Sequence, residues 1–155
     1  MVARHSIDET IVASISGNVV EALPVLPKKL LAINALVREN QIPFSHIQIL
    51  VMVQQETLSI SELSKRLAIA KPNITPLVDE LCSMGYVERV RDEQDRRVVR
   101  VRLKEAGAEK LKALEASVHA RAYKWVASLS RSEAKELNNA LASILRIMHA
   151  LPDEN

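Results

Sequence analysis

The stretch from Ser59 to Leu103 changes its hydrophobic period from that of a helix to that of a strand, and this change constrains the fold most strongly. "SISELSKRLAIAKPNITPLVDELCSMG" carries apolar residues at three- and four-residue steps, with a short gap near Ala70. "YVERV" and "VVRVRL" then alternate apolar and charged residues. The pattern therefore predicts two short helices, a tight turn between them, and a β-hairpin.

The two helices have recognisable boundaries. Ser59 and Glu62 have capping-box spacing, which predicts a helix over 60–68. The second helix is predicted over 71–84 and stops at Gly85, because glycine readily adopts the conformation that ends a helix. Its core-facing residues are Ile74, Leu77, Val78 and Leu81. Two short helices joined by a tight turn form a helix-turn-helix.

The hairpin concentrates positive charge in the middle of the chain. Residues 61–104 contain ten Lys and Arg against seven Asp and Glu, a net charge of +3, whereas the whole chain has only +2. Arg96 and Arg97 fall at the predicted tip, and the strands carry four more arginines: Arg89, Arg91, Arg100 and Arg102. Such an excess favours a polyanionic partner, although a solvated pair of surface strands also needs charge.

Further helices are predicted on both sides of this centre. An apolar stripe at four-residue steps predicts a helix over Ile7–Leu23. Pro24 and Pro27 predict a break or kink near 23–27 and a second helix from about Pro27 to Val37. After the connector "QIPF", Ser45 and Gln48 have capping-box spacing and open a helix ending near Gln55. The residues "ETLSI" that follow favour a short strand. Two long amphipathic helices, Lys104–Leu129 and Ser132–Leu151, close the chain.

The sequence gives little support to an enzyme, a metalloprotein or a membrane protein. It has three glycines and contains no phosphate-binding loop, nucleophile elbow or H-E-x-x-H motif, so no catalytic site and no cofactor are expected. Its lone Cys82 cannot form an intramolecular disulfide and suits a small core position in a cytoplasmic protein. Uninterrupted apolar runs are far shorter than the roughly 20 residues of a membrane span, so no membrane partner is expected.

A helix-turn-helix followed directly by a basic hairpin is a winged helix, and its parts fit duplex DNA. A helix over 71–84 is narrow enough for the roughly 12 Å major groove, while a hairpin reaches the flanking backbone or minor groove. Guanidinium groups at the tip suit a narrow minor groove, and Asp95 is placed to hold the Arg97 guanidinium extended. Pro72 and Pro76 face outward and are candidates to meet thymine methyl groups.

These segments resemble the MarR family of bacterial transcriptional regulators. The resemblance spans about Phe44 to Gly107 and includes "FSHIQ", "AKPNITPLVDEL", "GYVERV" and "DEQDRRVVRVRLKEAG". It implies a homodimer whose terminal helices interlock and whose two winged helices grip a pseudo-palindromic operator. It also implies a repressor released by a small aromatic or other small-molecule effector, or by an oxidant.

The resemblance also implies roles for individual residues. Lys71, Asn73 and Thr75 match the positions that enter the groove, and Asp95 with Arg97 matches the wing-tip pair. Ala70 departs from the pattern, because a Ser or Thr usually caps the second helix there. The candidate DNA-binding residues are Lys71, Pro72, Asn73, Thr75, Pro76, Arg91, Asp95, Arg96 and Arg97.

The sequence therefore predicts a mainly α fold with a small β-hairpin wing, arranged as a winged helix-turn-helix with N- and C-terminal dimerisation helices. Residues 1–43 and 105–155 are assigned to dimerisation and 44–104 to DNA binding, within one continuous domain. The expected partners are double-stranded DNA, a second copy of the chain and a small effector. A protein-interaction module that does not bind DNA, acting as an anti-regulator, is the alternative, although the predicted wing offers arginines rather than exposed apolar anchors.

Overall fold

A computed structural model of the protein describes residues 8–92 and 94–151 of the 155-residue chain. The predicted start of the first helix at Ile7 lies outside the described residues. The elements in chain order are α1 (Glu9–Leu26), a π-helical turn (Pro27–Leu31), α2 (Ile33–Asn40), α3 (Phe44–Gln55), β1 (Leu58–Ser59), α4 (Ile60–Leu67), α5 (Lys71–Ser83), β2 (Val87–Arg91), β3 (Val99–Leu103), α6 (Glu105–Val126) and α7 (Arg131–Ala150).

This element order confirms a mainly α fold with a small β wing. The three strands form one antiparallel sheet in the order β1-β3-β2. Leu58 of β1 lies opposite Val101 of β3, and Val87 of β2 lies opposite Leu103. The short strand at Leu58–Ser59 was predicted, and it serves to attach the hairpin to the residue that caps α4.

At the predicted break or kink near 23–27 the chain changes helix type, because α1 ends at Leu26 and the π-helical turn begins at Pro27. Pro24 lies inside α1, and the helix continues through the π-helical turn before Ala32 ends it with φ of +44°. The Ala32 N–H donates to the Pro27 carbonyl, five residues earlier. This wider spacing lets the chain pass two prolines, which lack an N–H and crowd the preceding turn, without leaving the helix.

Serine caps were predicted at two helix starts, with different outcomes. Ser59 and Glu62 form the expected reciprocal capping box of α4. Ser45 does not cap α3, because Pro43 has an extended conformation and starts the helix one residue earlier, at Phe44. The last helix begins one residue before the predicted Ser132, since Ser130 and Glu133 form the capping box.

The hydrophobic core lies around α3 and joins the helix-turn-helix to the hairpin and α6. Ile49 and Leu50 of α3, Val78 of α5 and Val101 of β3 are fully buried. The buried cluster runs from Leu36 to Leu114, and neither α1 nor α7 contributes a buried residue. The central elements therefore pack against one another, while the two end helices leave their apolar faces uncovered.

Gly107 sets the distance between α6 and the hairpin. A Cβ atom at this position would lie 2.2 Å from the Tyr86 carbonyl oxygen and 2.7 Å from Leu103 Cδ1. The same Tyr86 oxygen accepts a hydrogen bond from the Lys104 N–H at 2.9 Å. Since backbone cannot move aside easily, the close approach requires glycine here.

The helical run Glu9–Asn40 differs from the expectation that the chain has no membrane segment. By length and composition it is apolar enough to cross a membrane, and none of its most apolar window is buried. Within α1 the exposed apolar residues include Ile11, Ile15, Val19 and Leu23, the stripe predicted from the sequence. An exposed apolar surface of this size is typical of a site that contacts another molecule.

Candidate nucleic-acid interface

Helix α5 presents one face to the core and the opposite face to solvent. Ile74, Val78 and Leu81 are fully buried, which fixes the rotation of the helix. All five candidate residues on this helix are exposed: Lys71, Pro72, Asn73, Thr75 and Pro76. The helix therefore offers these side chains together on its N-terminal half, as a groove-entering helix requires.

The start of α5 lacks a side-chain cap, as Ala70 predicted. Ala70 has extended backbone dihedrals, and no side chain accepts a hydrogen bond at this end. The Thr75 hydroxyl donates to the Lys71 carbonyl at 3.3 Å, within the helix. The first turn of α5 contains no acidic residue. No carboxylate there neutralises the positive end of the helix dipole or the Lys71 ammonium.

Two aspartates shape the wing tip by accepting backbone hydrogen bonds. Asp92 Oδ1 accepts from the amides of Gln94 and Asp95 at 2.8 and 2.9 Å, and Asp95 Oδ1 accepts from the amide of Arg97 at 2.9 Å. The expected contact between Asp95 and the Arg97 guanidinium is therefore replaced by one to its backbone. This leaves the guanidinium groups of Arg96 and Arg97 exposed, with no ion pair within the described part of the chain.

Three of the four strand arginines instead turn toward carboxylates of the same chain. Arg89 contacts Asp79 of α5 at 2.5 Å, and Arg102 contacts Glu88 at 2.8 Å. Arg100 contacts Asp92, lies 3.1 Å from Glu62 of α4, and donates to the Thr57 carbonyl at 3.3 Å. Each of these three arginines therefore has a carboxylate partner within the chain.

The contacts of Arg100 join the wing to the helix-turn-helix. Its hydrogen bond lowers the pKa of Asp92 to about 2, with help from the two turn amides. The pKa of Glu62 is also lowered, first by its hydrogen bonds with Ser59 and then by the charge of Arg100. Both carboxylates are therefore charged at neutral pH, and the base of the wing is tied to the start of α4.

Four cations remain unpaired on this surface. Lys71, Arg91, Arg96 and Arg97 are exposed and have no carboxylate partner among residues 8–92 and 94–151. They lie at the start of α5, at the end of β2 and at the hairpin tip. The structure thus separates cations that hold the fold from cations that are free to meet a ligand.

Three comparisons with known proteins find similarity to the MarR family. The MarR family profile matches residues 45–99, which include all nine candidate residues. The central part of the chain is therefore similar to the MarR family. Its fold resembles that of a MarR family protein from Bacillus stearothermophilus, with a TM-score of 0.73 and 24% identity over 93% of this chain and 99% of that chain.

The curated proteins to which the chain is similar are named as transcription regulators. The HTH-type transcriptional regulator PapX of Escherichia coli is 35% identical over 68 residues, which is 44% of this chain and 42% of PapX. The transcriptional repressor MprA of Escherichia coli K12 is 31% identical over 99 residues, 63% of this chain and 56% of MprA. The matches thus span about two fifths to just over half of these relatives.

The other chemically active side chains have structural surroundings. Cys82 is half-buried and packs against the core, as its position predicted. His46 is buried beside α5, with Nε2 2.9 Å from Glu80 Oε2 but not aligned for a hydrogen bond. Glu115 and His119 are exposed on α6, and no cluster of three metal-binding side chains occurs in the described ranges.

Sequence reasoning missed the carboxylates that neutralise the strand arginines. One signal was available, because Glu88 and Arg102 lie opposite each other in the hairpin register, and opposite charges commonly pair across strands. The contacts of Arg89 with Asp79 and of Arg100 with Glu62 join separate elements. No local sequence pattern predicts such contacts.

Proposed function

We propose that this chain is a MarR-family DNA-binding transcriptional regulator that acts as a homodimer, represses by occupying a pseudo-palindromic operator, and is released by a small molecule. The observation that supports DNA binding most strongly is the set of four exposed cations on α5 and the hairpin, Lys71, Arg91, Arg96 and Arg97, that have no carboxylate partner within the described residues. A polyanion would supply the negative charges that these groups lack within the described chain.

In this proposal α5 enters the major groove and the hairpin tip lies over the neighbouring minor groove. Asn73 and Thr75 provide hydrogen-bonding groups for base edges, and Pro72 and Pro76 provide apolar surface for thymine methyl groups. Arg96 and Arg97 enter the minor groove, and Lys71 and Arg91 bind phosphates. Asp95 acts indirectly, since it fixes the turn that presents the two tip arginines.

The uncovered end helices support dimerisation. Apolar residues of α1 and α7, among them Ile15, Leu23, Ile144 and Met148, line one open groove of about 510 Å³. An apolar surface of this extent is unfavourable in water and suits burial against a second copy of the same helices. We therefore assign residues 1–43 and 105–155 to dimerisation, 44–104 to DNA binding, and the protein to the cytoplasm.

Selection of bound fragments from random DNA at stated salt concentrations tests this proposal. The selected sequences should contain two inverted half-sites with centres about 34 Å apart, one helical turn of DNA. Size-exclusion chromatography with light scattering should give a dimer. Selection of no sequence, together with a monomeric particle, would contradict the proposal.

The non-DNA-binding interaction module predicts a different result in the same experiment. A dimer that enriches no DNA sequence and shows no salt-dependent affinity for any duplex would favour it. The paired arginines of the strands are compatible with that alternative, whereas the unpaired tip arginines favour DNA.

A further inference from the structure

His46 is the only ionisable residue in the described ranges that is buried, with 1% of its surface exposed. It lies in the first turn of α3, the helix at the centre of the core. A buried imidazole is unfavourable unless its nitrogens find hydrogen-bond partners, so its surroundings show what holds it there.

The two ring nitrogens of His46 are incompletely satisfied. Nδ1 lies 3.4 Å from the Ser45 hydroxyl, and the solvent-inaccessible Nε2 has no aligned hydrogen-bond partner, although Glu80 Oε2 is 2.9 Å away. A neutral ring with its proton on Nδ1 turns a lone pair toward that carboxylate, which is repulsive. A doubly protonated ring instead donates a charge-assisted hydrogen bond to it. The contact between α3 and α5 therefore depends on the protons that the ring carries.

No other carboxylate in the described ranges contacts His46. Helix α3 has no other ionisable side chain, and α4, α5, β3 and α6 pack against it. In three of these elements the cations have partners of their own: Arg66 of α4 contacts Glu56, Arg100 of β3 contacts Asp92 and Glu62, and Lys110 of α6 donates to the Asn40 carbonyl. Glu80 of α5 is thus the charge that determines what protonation of His46 does.

Two neighbouring acids connect α5 to different elements. Asp79 contacts Arg89 of β2 at 2.5 Å, and Glu80 contacts His46 of α3 at 2.9 Å. Both acids lie on the helix that presents the candidate DNA-binding side chains. An arginine keeps its charge at every physiological pH, whereas histidine is the side chain that ordinarily changes charge between about pH 5 and pH 8. One contact of α5 is therefore permanent, and the other responds to a proton.

We infer that His46 is a positioning residue for α5: its protonated ring pairs with Glu80, holds the helix in place for the major groove, and makes operator binding tighter in mildly acidic solution. This inference rests on the proposed function, because the helix that it positions is the one proposed to enter the groove. The imidazolium also adds one positive charge to each protomer behind that helix, which favours a polyanion in the same direction.

Operator affinity of the full chain at about pH 6 and about pH 8, at constant ionic strength, tests the inference. The wild type should bind about fivefold more tightly at the lower pH, since each protomer of a dimer gains one ion pair. His46→Gln and Glu80→Gln should each bring the ratio of the two affinities close to one, because glutamine stays uncharged at both values. Glu80 is exposed, so its variant remains informative if the buried substitution prevents folding.

Two control variants separate the proton on His46 from other effects. Asp79→Asn removes the neighbouring acid, whose partner is an arginine, and should change the affinity by the same factor at both pH values. His119→Gln removes an exposed histidine of α6 and should keep the wild-type ratio. The inference is overturned if wild-type affinity is the same at both pH values, or if His46→Gln and Glu80→Gln keep the wild-type ratio.

Hydrogen exchange of the free protein provides a readout that needs no DNA. At the lower pH the α5 amides should exchange several-fold faster in Glu80→Gln than in the wild type, with a smaller difference at the higher pH and none in α6. Unchanged exchange in α5 at both pH values would overturn the positioning role.

The two readouts distinguish this inference from the proposed function. Sequence-specific DNA binding with equal affinity at both pH values would overturn the role of His46 and leave the regulator intact. The expected exchange result in a chain that selects no DNA would support the positioning of α5 by His46 and contradict the regulator.

Discussion

The hairpin contains two kinds of arginine that the sequence does not distinguish. Arg89, Arg100 and Arg102 are bound to carboxylates of the same chain, whereas Arg96 and Arg97 at the tip have no such partner among the described residues. The first group connects the wing to α4, α5 and its own neighbouring strand. The second group is free to meet a ligand. A count of arginines therefore overstates the positive charge available for DNA, because it includes guanidinium groups that are already paired with carboxylates.

The largest expected effect follows removal of both tip arginines. Arg96→Gln with Arg97→Gln removes four charges from a dimer and should lower affinity for the selected operator by at least about 100-fold at low salt. The melting temperature should not change, because neither side chain has an internal partner to lose. Electrophoretic mobility shift and thermal melting measure the two quantities.

A matched control uses a paired arginine. Glu88→Gln with Arg102→Gln removes an exposed ion pair without changing the net charge, so operator affinity should stay within about fivefold of the wild type. If this control weakens binding as much as the tip variant, the distinction between the two kinds of arginine fails.

The next effect concerns the arginine that joins the wing to α4. Arg100→Gln leaves Asp92 and Glu62 without their shared cation, so the melting temperature should fall by a few degrees. Arg91→Gln changes an exposed arginine without a carboxylate partner and should leave the melting temperature unaltered. Equal melting temperatures for the two variants would show that Arg100 does not hold the wing.

Acidification should weaken the same contact. Because Arg100 and the turn amides lower the pKa of Asp92 to about 2, the charged form stabilises the fold above the ordinary pKa near 3.8. This stabilisation is lost as the pH falls from about 4 to about 2. Asp92→Asn should therefore be less stable than the wild type at pH 6, and the difference measured by chemical denaturation should shrink across that interval. A difference independent of pH would contradict the assignment.

The smallest expected effect concerns sequence readout by α5. Replacing thymine by uracil at single operator positions removes one methyl group and should lower affinity by a few-fold where Pro72 or Pro76 lies against it. Pro76→Ala should abolish the difference at its position. The same affinity at every substituted position would exclude methyl recognition by these prolines.

The order of elements was predictable because it depends on local pattern. The switch from helical period to alternation located α4, α5 and the hairpin, and Ser59 with Glu62 located one cap. The form of the junction after α1 was not predictable, because a π-helical turn begins at Pro27 and no simple sequence pattern predicts such a turn.

The partners of the arginines were less predictable than the elements. Arg89 and Asp79 are only ten residues apart, but their contact depends on how β2 lies against α5. Arg100 reaches Glu62 across 38 residues. The burial of Arg121 Nε and Trp125 Nε1 was also not predicted, because both residues read as ordinary members of an amphipathic helix.

The salt dependence of operator affinity tests the central claim most directly. Four unpaired cations per protomer, each displacing the counterion of about one phosphate whether it binds the backbone or enters the minor groove, predict a slope of about −7 for log affinity against log salt in a dimer. Arg97→Gln should make that slope shallower by about 2, since each protomer loses one contact. Absence of binding at low salt, or a slope that Arg97→Gln leaves unchanged, would contradict the claim that the free wing-tip arginines bind DNA.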